Sequence, residues 1–126
     1  MDEINEDNIQ EKINFFQKMQ QQAQALTQQA SQIERSINEL DRTLTEIDDT
    51  NENNTLYRAI GSIMQKIENV ENLKKDIKEE KETLEIRNKS LKSQIEKLNN
   101  EISGMQEKLT PIVQSMQESN NQNASK

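Results

Sequence analysis

The sequence predicts a mainly α chain in which two long antiparallel coiled-coil helices are joined by a single β-hairpin. Three observations carry that class. Apolar residues recur at alternating steps of three and four over residues 9–47 and again over residues 70–110, which is the 3.5-residue repeat of a coiled-coil seam rather than the wider stripe of a globular helix. Between the two runs, TLYRAIGSIMQKI (residues 55–67) switches to strand-like alternation around Gly61-Ser62. Only 30% of the 126 residues are hydrophobic and 2% aromatic, too few for a globular core but enough for a narrow seam.

The first seam runs Ile9, Lys12, Phe16, Met19, Ala23, Leu26, Ala30, Ile33, Ile37, Leu40, Leu44 and Ile47, with no glycine or proline inside it. Gln, Glu, Lys and Arg fill the outer face. The second runs Val70, Lys74, Ile77, Lys81, Leu84, Asn88, Leu91, Ile95, Leu98, Ile102, Met105 and Leu109. Glu71 with Lys75 and Glu85 with Lys89 add outer-face pairs four residues apart, each supporting the helix by ~0.2–0.5 kcal/mol. Each seam spans about 60 Å at the helical rise. Equal lengths joined by a compact turn argue that the helices fold back on each other, with Ile47 meeting Val70, Leu26 meeting Leu91 and Ile9 meeting Leu109. Lys74, Lys81 and Asn88 weaken the seam near the hairpin. They either fix register and discourage other partners or contact a neighbouring subunit. Gly104, inside the second helix, marks local flexibility or nothing.

The polar run DDTNENN leads into the hairpin. A two-residue type II′ turn at Gly61-Ser62 pairs Ile60 with Ile63, Arg58 with Gln65 and Leu56 with Ile67. One face then carries Leu56, Ile60, Ile63 and Ile67, and the other Tyr57, Ala59 and Met64. A lone two-stranded hairpin is marginal in water, and its open edges are templates for further strands. The expectation is that hairpins from several copies assemble into a shared sheet or β-barrel body, with the coiled coils projecting from it. The competing reading is a hairpin that caps its own helices.

At the far end of the helix pair, Ile13 and Phe15 lie off the first seam, while Ile112, Val113 and Met116 continue past the second. Of residues 1–8, only Ile4 is placed to cover them. Such residues either make a weak, sequence-tolerant contact with other proteins, for which methionine gives adaptable packing, or cap and fray the coiled coil. Pro111 removes a backbone donor and clashes one turn back, so the segment after it is expected to be kinked or loose. The polar residues 117–126 are expected to be a disordered tail.

Composition excludes several classes. Sixteen basic against 23 acidic residues give a net charge of −7, unfavourable for nucleic acid, whose sequence-independent affinity comes from Lys and Arg. There is no cysteine and no histidine, and no glycine-rich phosphate loop. Acidic runs such as DIKEEKE spread around a helix without a pocket, so no catalytic residue, metal site or cofactor is expected and the chain is not read as an enzyme. No apolar run approaches a membrane span and the first residues do not look like a signal peptide, so a soluble, cytoplasmic protein is expected. The polar helix faces lack the basic excess of a membrane-surface helix.

Taken in order, FFQKMQQQAQALTQQ, the hairpin TLYRAIGSIMQKI and LEIRNKSLKSQIEKL resemble the prefoldin family, over roughly residues 9–110, and specifically its β-type subunit, which has one hairpin where the α-type has two. Met64, Gln65 and Lys66 depart from the branched aliphatics usual in the second strand. The Gln-rich phrasing is more similar to archaeal than to eukaryotic β subunits. The resemblance implies a hexamer of two α-type and four β-type subunits, with the hairpins in a double β-barrel. It implies an ATP-independent chaperone that holds unfolded proteins at the coiled-coil tips and passes them to a group II chaperonin. The tip residues are then Ile9, Ile13, Phe15, Phe16, Met19, Leu109, Ile112, Val113 and Met116. The assembly residues are Leu56, Tyr57, Ala59, Ile60, Gly61, Ile63, Met64 and Ile67. The alternative is a structural coiled-coil adaptor that tethers two folded partners.

Overall fold

The structure, a computed structural model, describes residues 4–50 and 54–124. Its elements in order are α1 (Ile9–Asp48), β1 (Tyr57–Ile60), β2 (Ile63–Lys66) and α2 (Val70–Ala124). The residues of the polar run that fall at 51–53 lie outside the described residues. The chain divides into two compact units, one of residues 1–28 with 91–126 and the other of residues 29–90.

Asparagines open both helices. Asn69 accepts the Asn72 N–H on its side-chain Oδ1 at 3.0 Å and the Leu73 N–H on its carbonyl at 3.2 Å, satisfying donors that have no partner inside the first turn of α2. Before α1, Asn5 Oδ1 accepts the N–H groups of Asp7 and Asn8, and the Asn8 carbonyl accepts the first helical bond from Lys12. At the other end of α1, Thr50 donates its hydroxyl to the Glu46 carbonyl at 2.7 Å.

All the seam positions named from the sequence, on both helices, are buried or half-buried, and most residues between them face out, Ile13, Leu73 and Gly104 being half-buried exceptions. In residues 29–90 the helices run in opposite directions and are tied by ion pairs across the seam. Lys74 Nζ lies 2.8 Å from Asp48 Oδ1 and 3.6 Å from Glu71, and Lys81 pairs with Asp41 and, at 3.6 Å, with Glu85. Asp48 ends α1, where its charge opposes the helix dipole, and Lys74 compensates it. Asn88 is 7% exposed, and its Oδ1 has no hydrogen-bond partner among the described residues.

In residues 4–28 with 91–119, Ile9, Met19, Met105 and Leu109 form a buried cluster, with Ile4, Ile13, Phe16, Leu98, Ile102, Ile112, Val113 and Met116 packed against it. The pairing differs from the expected one. Ile13 and Phe16 share a groove with Leu109 and Val113, and Ala23 shares one with Asn99 and Ile102. Leu26 is therefore level with residues about one heptad beyond Leu91, and Asp48 likewise reaches Lys74 rather than the Val70 turn. The length of α2 makes this alignment possible. Pro111 does not end it, and the helix continues to Ala124, beyond the expected limit of 110 and through most of the segment expected to be disordered. Losing one backbone bond at proline costs roughly 3 kcal/mol, whereas burying a large apolar side chain contributes ~1.5–3 kcal/mol. Ile112, Val113 and Met116 together offset the loss.

Gly104 lies within α2, has no positive φ, and a Cβ built on it meets nothing within 4 Å. Gly104→Ala should therefore raise thermal stability by about 0.5–1 kcal/mol through helix propensity alone. A lower melting temperature by circular dichroism would mean that the glycine is needed for close approach.

Hydrogen bonding to Lys74 holds the Asp48 carboxyl below its ordinary value of 3.8. The same bond raises the Lys74 ammonium above 10.5, and the bond to Asp41 does so for Lys81. The two lysines thus contribute stability that is whole below 10.5 and is lost as pH rises through their raised folded values. Asp48 contributes above 3.8, and that contribution is lost as pH falls through its depressed value. Melting temperature should fall at the alkaline end, and Lys74→Met with Lys81→Met should flatten that limb. An identical alkaline profile in the double variant would remove these pairs as its cause.

Candidate assembly and binding surfaces

Strands β1 and β2 are four residues each and pair antiparallel as Ile60 with Ile63, Ala59 with Met64, Arg58 with Gln65 and Tyr57 with Lys66. One more bond, Ile67 N–H to the Leu56 carbonyl at 2.8 Å, extends the ladder. Gly61 has φ of 60°, and among the described residues no residue other than glycine has positive φ. A positive first turn residue followed by a negative Ser62 is the type II′ pattern, whose twist matches that of the flanking strands. The sequence-read register and turn type both match.

Every residue of both strands is exposed. Tyr57 (58%), Ile60 (52%), Ile63 (67%) and Met64 (64%) are among the most exposed large hydrophobics of the described residues. Alternation puts Ile60 and Ile63 on one face with Leu56 and Ile67, and Tyr57, Ala59 and Met64 on the other. Leu56 and Ile67 are half-buried, and Leu56 lines a pocket with Leu40, Ile47, Leu73 and Ile77. The hairpin base is thus seated on the helices, while its outer half has apolar side chains on both faces. The sheet contains only these two strands among the described residues.

The second surface belongs to residues 4–28 with 91–119. Of the residues expected at the tip, Ile9, Met19 and Leu109 are buried in the cluster, and Ile13, Phe16, Ile112, Val113 and Met116 are packed onto it. The expectation that Ile13, Ile112, Val113 and Met116 lack partners is therefore corrected: extension of α2 past Pro111 brings them level with the start of α1. Phe15 stands apart, 52% exposed, in a shallow groove with Glu11, Lys12, Asn14 and Lys18. Beside the cluster, Ile13, Phe16, Leu109 and Val113 line an open groove rimmed by Gln17, Gln20, Gln106 and Gln114.

Sequence reasoning did not single out Met105, Leu98 and Ile102 as parts of this surface, although their seam positions imply it. It also passed over Ile86, 65% exposed on the outer face of α2; its signal is an apolar residue off the seam in a charged run. The stripe of glutamines at 17, 20, 21, 24 and 28 is a third omission, readable from its helical spacing. Among the described residues, no group of three or more acidic, histidine or cysteine side chains is placed to hold a metal ion. No described helix is long and apolar enough to cross a membrane.

Two helices that exchange a seam around one exposed hairpin are matched by the family model for prefoldin subunits over residues 10–116. The chain belongs to the prefoldin subunit family. The crystal structure of the prefoldin β subunit from Thermococcus strain KS-1 is similar at 25% identity, with a TM-score of 0.75, covering 88% of this chain and 96% of that one. Comparison with individual curated proteins finds no match. With one hairpin between two helices, the chain has the β-type prefoldin fold. Prefoldins are a family of non-enzymatic chaperones.

Proposed function

We propose that this chain is a cytoplasmic, ATP-independent holdase subunit. It assembles through its hairpin into a hexamer of two α-type and four β-type subunits and captures non-native proteins on the end formed by residues 4–28 and 91–119. Captured chains pass to a group II chaperonin. The observation that carries the reading is the hairpin, a sheet of two strands with both edges open among the described residues and with Tyr57, Ile60, Ile63 and Met64 exposed. Open edges and a two-faced apolar surface call for further strands, which other prefoldin subunits supply. Support for client capture is the apolar groove of Ile13, Phe16, Leu109 and Val113 with Phe15 nearby, since an unfolded chain offers apolar area for burial.

Ile60→Asp or Ile63→Asp should leave helix content largely intact while breaking the complex into smaller species by native mass spectrometry. Retention of the full native mass would show that assembly does not use the hairpin.

Phe15 is the cleaner probe of capture, because its exposure means that Phe15→Ser removes apolar area without opening the cluster. In the complex with α-type partners, the substitution should lower suppression of a denatured protein's aggregation several-fold and leave native mass and melting temperature unchanged. The effect should persist at high salt, because hydrophobic burial is not screened. Undiminished suppression would place the client elsewhere. No suppression by the unmodified complex would favour a coiled-coil adaptor.

A further inference from the structure

Residues 19–33 of α1 contain no charged side chain, in a chain that is 31% charged. Part of this neutral stretch lines one groove. Gln17, Gln20, Gln24 and Gln28 recur at steps of three and four along one flank of α1, with Gln21 beside Gln20, and Asn99 of α2 lines the same groove. Ala23 and Ile102 complete the lining, and the Thr27 hydroxyl is already committed to the Ala23 carbonyl at 2.8 Å. The six carboxamides are not hydrogen-bonded to other described side chains. Each offers a carbonyl acceptor and two N–H donors, so the groove presents both halves of the hydrogen-bonding pattern of a peptide and no net charge.

We propose that this amide-lined groove binds the extended backbone of a non-native polypeptide through carboxamide–peptide hydrogen bonds. This rests on the reading of the chain as a holdase subunit and names what one part of its surface recognises. In folded proteins more than about nine in ten buried backbone N–H and C=O groups are already paired. Unpaired extended backbone is therefore a mark of the unfolded state that every client shares, whatever its side chains. From Gln17 to Gln28 the helix rises about 16 Å, the span of about five extended residues. Glutamine side chains are long and flexible enough to reconcile the helical repeat with that of a strand. The groove also continues into the apolar one, which shares Gln17 and Gln20 with it. A chain lying along the amides can thus place an apolar side chain between Phe16 and Val113. Lysine or glutamate at these positions would select clients by charge, and leucine would close the groove on itself.

The test uses the complete complex with α-type subunits and a variant carrying Gln20→Met, Gln24→Met and Gln28→Met. Methionine keeps side-chain length, flexibility and helix propensity and removes the hydrogen bonds, so a purely hydrophobic contact would be strengthened. The probes are a short, labelled, uncharged peptide of Ser, Thr and Val and its counterpart N-methylated at alternate residues. Both are followed by fluorescence anisotropy, alongside aggregation suppression and native mass. The unmodified complex should bind the N-methylated peptide about fivefold more weakly, the scale of a net hydrogen bond. The variant should bind the parent peptide weakly by a similar factor and no longer distinguish the two. Equal binding of both peptides by the unmodified complex, or equal or tighter binding of the parent peptide by the variant, overturns the proposal. So does a changed native mass, which would make the groove a contact between subunits. If aggregation suppression survives any of these results, the backbone-recognition proposal falls and the holdase reading stands. If the unmodified complex suppresses nothing, the holdase reading itself has failed.

Discussion

Two helices can cover one another along a single line, and most of what this chain does follows from that limit. Each seam residue meets one neighbouring helix rather than a shell of core side chains, so none of the large ones is fully enclosed among the described residues. Among the described residues the buried hydrophobic positions are Ile9, Met19, Ala23, Ala30, Ile33, Ile77, Met105 and Leu109, of which only Ile9, Met19, Met105 and Leu109 gather into a cluster. A seam of this kind stabilises in small increments and leaves wide flanks in water. Those flanks are free to carry charge in one stretch and carboxamides in another at little cost to the fold.

The same limit explains why polar side chains are tolerated in the seam near the hairpin. Lys74 and Lys81 run their aliphatic stems along the interface and deliver their charges to Asp48 and Asp41 at its edge, as long basic side chains commonly do. Asn88 has no such escape, and its buried oxygen costs about 1–3 kcal/mol where it finds no donor. A seam of leucine at these positions would bind more tightly and to more partners. Polar residues at a coiled-coil interface lower stability and narrow the permitted pairings, and the cross-helix ion pairs favour the fixing of register over the alternative of a neighbour contact.

How much of this could be read from the sequence depended on whether the signal was local. The seams were legible residue by residue, because a 3.5-residue repeat needs no knowledge of the partner. The hairpin was legible to its register, because Gly61-Ser62 centres it and alternation assigns its faces. The alignment of α1 against α2 was not, because a heptad repeat looks the same after a slide of about seven residues. What decides the alignment is distributed: two aspartates near the end of α1, two lysines seven apart on α2, and the apolar steps after Pro111. Proline also misled by its usual meaning. It stops a helix that has nothing to bury beyond it, and here Ile112, Val113 and Met116 follow. The clustering of those three with Ile9, Ile13 and Phe16 could be anticipated only with the correct alignment. Exposed Phe15 needed only its departure from the seam.

The position of the Asp48–Lys74 pair bears on how the chain finds its fold. Of the cross-helix ion pairs, this one closes the shorter loop, with only the hairpin and its connections between its partners. Closure entropy rises with the logarithm of loop length, so contacts beside the hairpin are the least costly to make first. Hairpins form in ~1–10 μs and helices elongate in ~1 ns per residue. A nucleus of hairpin and adjoining helix ends, followed by pairing outward, would set the alignment before the repetitive apolar seam could choose another. On that route the first charged contact commits the chain to one heptad frame, and the uniform residues further out inherit a decision already taken.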